Sequence, residues 1–325
     1  MTISELPEEV LLQIFSFYLD HRPDDEHVWY ELVHVCRRWR CLVFASPRRL
    51  HLRLLCTHKR PVKETLDVWP ELPIAIRAHD FMPTRIQTLE TNVIAALEHH
   101  DRVCDIFIGG YPTSLMKIFS TMNKPFPSLV NLKVVSLTRN ESMIPESFLG
   151  GSAPLQQSLE FYNIPLTCPE IKRLLLSAPN LVSLSLFLIP RSGPGCTSPE
   201  AMVSGLSMLT RLKSLRLTFS LRTPRPQSQR ASGHPLPSAR VVLPALTDID
   251  FCGDKEYLED FVSRIDTPLL VNVTTSFSDR SIPVTPPLRD FINRTEEFGA
   301  CSKIDADSPG NSAKIQFIRR DGEEL

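Results

Sequence analysis

The chain has 325 residues, 42% hydrophobic and 22% charged, with a formal net charge of -1. That length holds one large or two ordinary domains. The balanced charge excludes a global basic field that would gather nucleic acid, and no apolar run reaches the ~18 residues of a membrane span.

Near the start, Glu5, Glu8 and Glu9 stand where a leader would be basic, and no apolar signal core comes after them. The expectation is a protein of the cytoplasm, the nucleus or both. The cysteines, 8 in number, are scattered without CxxC spacing, which predicts reduced and mostly buried thiols rather than a zinc framework.

The first predicted helix begins at Leu6-Pro7. Proline suits a first helical turn, where its missing N–H costs nothing, and Glu8 and Glu9 sit where the helix dipole favours negative charge. Val10, Leu11, Ile14, Phe15, Tyr18 and Leu19 recur at helical spacing and predict one apolar face, with Leu12 and Phe17 off it. After a polar break at 20–26, Val28, Trp29, Leu32, Val35, Cys36, Trp39, Leu42 and Val43 step by three or four, with Arg37, Arg38 and Arg40 between them. Pro47 ends the run. Two helices in fewer than roughly 50 residues are below the size that usually folds alone. The module is expected to lean on the rest of the chain, on a partner, or on both.

The phrases Leu6-Pro7-x-Glu9-Val10-Leu11-x-x-Ile14-Phe15 and Val35-Cys36-Arg37-x-Trp39 resemble an F-box. That family binds the small adaptor subunit of SCF-type cullin–RING ubiquitin ligases. The resemblance implies that Leu6, Pro7, Glu9, Val10, Ile14, Phe15, Val35, Cys36 and Trp39 support or form an adaptor-binding surface. The connection from Leu19 to Val35 is longer than in compact family members and carries Asp24-Asp25-Glu26.

Residues 51–61 are basic and read as a solvated connection. Residues 62–76 hold Trp69-Pro70-Glu71-Leu72-Pro73-Ile74, a proline-punctuated apolar stretch expected to form the seam where the N-terminal module packs on the next domain. This phrase is similar to one in fungal F-box proteins that carry a downstream repeat region. Residues 84–100 predict a helix with Ile86, Leu89, Val93, Ile94 and Leu97 on one stripe.

A phrase of form L-x-x-L-x-L then recurs. It begins at Val103, Leu129, Leu181, Leu212 and Leu246, with Leu155-x-x-x-Leu159-x-Phe161 read as one residue longer and Val271-x-Val273 as a weaker seventh. The steps are about 26, 27, 25, 31, 34 and 22 residues, within or near the leucine-rich-repeat range. Apolar residues at period two predict short strands with one buried face. Helices are predicted between them at 114–122, 169–177, 199–209 and 255–265. Proline-rich loops are expected at 190–199, 223–237 and 279–287, then a helix at 288–298 and a strand at 314–319.

The expected fold is therefore α/β: a small helical F-box followed by an irregular leucine-rich-repeat solenoid, in which short parallel strands alternate with helices. The expected division is an F-box at 1–55, a helical linker at 56–100, the repeats at 101–287 and a C-terminal cap at 288–325.

No nucleophile elbow, phosphate-cradling glycine loop or zinc helix is evident. His99-His100 with Cys104, and His34-x-Cys36, have the residue types for chemistry, but both read better as a helix end and as packing. The resemblance implies a non-catalytic substrate-recognition subunit that needs no cofactor. Its partners would be the adaptor, through it a cullin, and a target protein, with no nucleic acid and no membrane. The rival readings are a non-ligase repeat scaffold and an enzyme with a site hidden in a repeat loop.

Overall fold

The computed structural model describes residues 6–21, 28–47, 49–57, 61–69, 71–79, 86–138, 144–188, 198–219, 240–277, 286–294 and 313–318. Three helices come first: α1 (Glu8–Asp20), α2 (Val28–Val35) and α3 (Arg37–Ala45). Then come β1 (Leu54–Cys56), α4 (Val62–Val68), β2 (Ile74–Ala78), α5 (Ile86–Leu97), β3 (Val103–Gly110), α6 (Pro112–Thr121), β4 (Asn131–Ser136) and β5 (Ser158–Tyr162). The chain continues through α7 (Cys168–Ser177), β6 (Ser183–Leu188), α8 (Pro199–Leu206), β7 (Ser214–Phe219), β8 (Val241–Val242), β9 (Asp248–Gly253) and α9 (Lys255–Ser263). The last elements are β10 (Ile265–Asp266), β11 (Asn272–Phe277), α10 (Pro286–Arg294) and β12 (Ala313–Ile318).

Nine strands form one parallel sheet in chain order, β1-β2-β3-β4-β5-β6-β7-β9-β11, and β12 joins its far edge antiparallel to β11. β8 and β10 pair separately. The order comes from the repeated phrase. Ile106, Leu132, Leu159, Leu184, Leu215, Ile249 and Val273 lie in register across neighbouring strands, all buried. Two residues on, Ile108, Val134, Phe161, Leu186, Leu217 and Phe251 make a second buried row. One strand and one helix cannot hide such rows alone, whereas stacked neighbours can. The result is a single core that runs from Leu11 in α1 to Phe291 in α10. This mixed architecture fits an N-terminal helical module followed by α/β repeats.

Two phrases depart from the sequence-based expectation. Leu155 is 55% exposed, and Gln156 is the buried residue three positions before Leu159. No extra residue is present there, since Gln156 fills the place that Leu129, Leu181 and Leu212 hold in their own phrases, all buried. The last phrase begins at Leu270, also buried, rather than at Val271, and its final position is the buried Thr275. The 51–61 connection carries strand β1, and the 56–100 stretch, expected as a helical linker, carries β2 as well as α4 and α5. The loops expected at 190–199, 223–237 and 279–287 fall wholly or largely outside the described residues.

Between β4 and β5 the chain makes a tight turn at Phe148–Gly151, in which Leu149 and Gly150 have φ of 56° and 54°. A side chain at Gly150 would have its Cβ 2.4 Å from the backbone of Lys124 and Pro125. Only glycine fits that approach without displacing the neighbouring backbone.

Candidate functional site

The N-terminal helices divide their apolar residues differently from the sequence-based face. On α1 the buried side chains are Leu11, Leu12 and Phe15, so Leu12 belongs to the core. Val10, Ile14 and Phe17 are 36%, 46% and 65% exposed. These three stand at i, i+4 and i+7, one stripe along the outer side of the helix. Periodicity alone misses Phe17, because six apolar residues already make a plausible face without it. On α2, Val28, Trp29, Leu32 and Val33 are buried, while Val35 at its end is 59% exposed.

The second apolar series is not one helix. It breaks at Cys36, whose extended backbone caps α3, and its Sγ accepts a hydrogen bond from the Trp39 N–H at 3.5 Å. A thiol stands here in the place usually held by serine, threonine or aspartate. The break leaves Val35 and Cys36 exposed at the corner between α2 and α3.

The remaining predicted residues have distinct roles. Phe15 has no exposed surface and lies against Trp39, ring centroids 4.6 Å apart, with Trp39 itself half-buried. Phe15 therefore supports the module from beneath and presents no surface of its own. Leu6 is half-buried, and its carbonyl accepts a 2.7 Å hydrogen bond from Arg38 Nη2. Pro7 is exposed, and its carbonyl receives the N–H of Leu11. Arg38 thus ties α3 to the entry of α1, a link that no sequence pattern signals.

Glu9 is exposed and engaged by the Arg49 guanidinium fork at 2.7 and 2.8 Å. That hydrogen bonding holds the Glu9 carboxyl below its ordinary range and raises Arg49 in turn, against an opposing effect of desolvation. Bidentate geometry of this kind fixes both partners in orientation. Tyr18 donates its hydroxyl to Glu31, bracing α1 against α2.

Behind this face the module is fastened to the sheet. Trp69 packs edge-on against Trp29 and Tyr30, at centroid distances of 5.3 and 4.8 Å. Trp29 Nε1 donates to the Arg53 carbonyl at 3.1 Å, and the Arg53 guanidinium reaches Asp105 on β3 at 3.2 Å. A chain of contacts therefore joins α2 to the third strand.

The residue pairs with catalytic or ligating types are otherwise occupied. His100 Nδ1 lies 2.7 Å from the Pro125 carbonyl, and the Cys104 thiol donates to the Ile74 carbonyl at 3.4 Å. Burial pushes the Cys104 and Cys252 thiols up and drives that of Cys56 to about 12, which makes them poor nucleophiles. Among the described residues no group of three or more His, Cys, Asp or Glu is placed to hold a metal ion, and no helix is long and apolar enough to cross a membrane.

No curated protein matches the chain. Residues 3–54 match the F-box-like family model, a span that takes in α1, α2 and α3 and ends on the first residue of β1. The outward stripe, the capped corner at Cys36 and the Leu6-Pro7 entry all lie inside it, and this F-box-like domain supports the reading of the chain as an F-box protein.

Proposed function

We propose that the chain is the substrate-recognition subunit of an SCF-type ubiquitin ligase. Its F-box would hold the adaptor and, through it, the cullin. The sheet and its helices would act as a degenerate leucine-rich-repeat solenoid that holds the target, with 288–325 as its cap. The observation that carries this reading is the stripe Val10, Ile14 and Phe17, left facing solvent in a domain that matches the F-box-like model. Exposed apolar surface in an ordered module marks a contact with another protein.

The mechanism is proximity. A target held near a charged ubiquitin-conjugating enzyme reacts at a high effective concentration. No residue of this chain then needs to touch the reacting atoms, and the activity belongs to the assembly. Such a protein works in the cytoplasm, the nucleus or both.

Co-purification tests the proposal. The adaptor and the cullin should both accompany the full chain, and both should be lost with Ile14→Asp. Recovery of the adaptor without the cullin would favour a non-ligase scaffold, and recovery of neither would refute the ligase reading.

A further inference from the structure

Residues that alternate with the two buried rows point to the other face of the sheet. Along β5, β6 and β7 their side chains change abruptly in size. Ser158, Ser183 and Ser214 stand in register on the three strands. Two residues on, Ser185 lies between Glu160 on β5 and Arg216 on β7. Two residues further, Tyr162, Phe187 and Thr218 make the next row. A short hydroxyl side chain is thus walled on three sides by longer ones: a carboxylate, a guanidinium and the Phe187 ring.

The two charged walls pair away from this gap. Glu160 Oε2 lies 2.9 Å from Lys133 on β4, and that lysine is seated between the rings of Phe107 and Tyr162, 5.3 and 5.2 Å from their centroids. Arg216 donates from Nε to Asp250 on β9 at 2.8 Å. Among the described residues Glu160 and Arg216 make no ion pair with each other. Each charge is neutralised by its neighbour outside the gap, which leaves an acceptor on one side of Ser185 and donors on the other. Ser185 itself is 8% exposed, and among the described residues its hydroxyl has no hydrogen-bond partner. Polar groups buried to that degree ordinarily have one. This hydroxyl is not sealed in, and it opens on the gap above it.

We propose that the gap over Ser185 receives the carboxamide of a glutamine side chain from an extended segment of the target protein. This rests on the substrate-receptor reading above and specifies the class of segment that such a receptor takes. The amide nitrogen donates to Glu160, the amide oxygen accepts from Arg216, and the Ser185 hydroxyl meets either atom. Two strand steps of roughly 4.8 Å separate β5 from β7, about 10 Å in all. A carboxamide with a hydrogen bond of about 2.9 Å on each side spans about 8 Å, close to that separation. A carboxylate in the same place meets Glu160 as a like charge, and an apolar side chain leaves three polar groups unmet. Glutamine suits the gap better than asparagine, because Ser185 ends well below the tips of Glu160 and Arg216. Residues two apart in an extended segment are about 6.8 Å apart, the same step that separates Ser185 from Phe187 along β6. An apolar residue two positions from the glutamine therefore reaches the half-buried rings of Tyr162 and Phe187.

The test uses the full chain and three fluorescein-labelled pentapeptides of nearly equal shape, LAQAL, LAEAL and LAMAL, with binding read by fluorescence anisotropy. Leucine on both sides of the central residue makes the assay indifferent to the direction in which the segment lies. LAQAL should bind at least about tenfold more tightly than either of the others. Ser185→Val, which fills the gap, should abolish that preference. Arg216→Met, at an exposed position, should weaken LAQAL about tenfold and leave LAMAL unchanged, and it serves as an independent check if the first variant does not fold. Phe187→Ala should weaken all three peptides alike. Equal affinity for the three, tighter binding of LAEAL or LAMAL, no binding of LAQAL up to millimolar concentration, or an undiminished preference for LAQAL in a folded variant of Ser185 or Arg216 would overturn the proposal. Adaptor capture is read separately at α1, so failure here leaves that result standing, and failure there leaves this assay interpretable.

Discussion

Ile14 and Phe15 are adjacent in sequence and opposite in consequence. Ile14 is 46% exposed and Phe15 is fully buried. Replacing Ile14 with aspartate removes on the order of 80 Å² of exposed apolar surface, worth about 2 kcal/mol if an adaptor covers it. The carboxylate would also have to be desolvated against an apolar partner, which adds on the order of 1–3 kcal/mol. The expected loss is therefore about 3–5 kcal/mol, or roughly a hundredfold to a few thousandfold in Kd. Stability should hardly move, because surface substitutions usually stay within about 0.5 kcal/mol. Phe15→Ala should do the reverse to the fold, costing about 3–5 kcal/mol through the cavity left against Trp39. Titration calorimetry with the adaptor, paired with thermal melts of both variants, reads the two effects apart. An Ile14→Asp protein that binds the adaptor within about threefold of the parent would refute the assignment of this stripe.

Three further outcomes are expected. Gly150→Ala should lower stability by more than about 2 kcal/mol, since the new Cβ meets backbone and φ is positive, whereas Gly151→Ala, at φ 69° with open space around it, should cost only the backbone strain of about 1–2 kcal/mol; equal melting temperatures for the two would contradict the close approach. Gln156→Leu should stabilise the fold by about 1 kcal/mol, because the buried Oε1 has no hydrogen-bond partner among the described residues and leucine fills this place in neighbouring phrases; a lower melting temperature would show that the amide is satisfied. Cys56, whose thiol is raised from 9.0 to about 12, favours the protonated form in the folded state. Its contribution is complete below the unfolded value and is lost as pH rises through that window. Denaturant midpoints of the wild type should therefore fall more steeply between pH 9 and about 12 than those of Cys56→Ala, and parallel profiles would remove the thiol as the cause.

The strands are readable because leucine, isoleucine, valine and phenylalanine recur at fixed offsets, and burial is what those offsets encode. Where one residue breaks the pattern, the reading fails. Leu155 looks like the start of a phrase because it is apolar, and Gln156 is passed over because it is polar, yet register along the sheet buries the second. Strands β1 and β2 give no repeated phrase: β1 is 3 residues long, and β2 comes after a run broken by Pro70 and Pro73.

The F-box-like phrases are plain in sequence, but the facing of α1 is not. Its apolar residues can be divided into an inner and an outer set in more than one way, and only neighbours such as Trp39 and Leu42 decide which side is inside. Nothing in the sequence around Arg38 and Arg49 signals what they hold. Their roles depend on a carbonyl 32 residues away and a carboxylate 40 residues away. Pairings at that distance leave no local trace.

The match to the F-box-like model stops at Leu54, and Leu54 is itself hydrogen-bonded through the sheet beside Ile74. The edge of the recognisable sequence is thus not an edge of the folded body. Cutting the chain there would strip Leu11, Phe15 and Trp29 from a core they share with the strands and would bare an unpaired sheet margin to aggregation. Separating the two ends of this protein in the laboratory is better done with a point change on the outward stripe than with scissors, because only the former leaves the platform intact for whatever it holds.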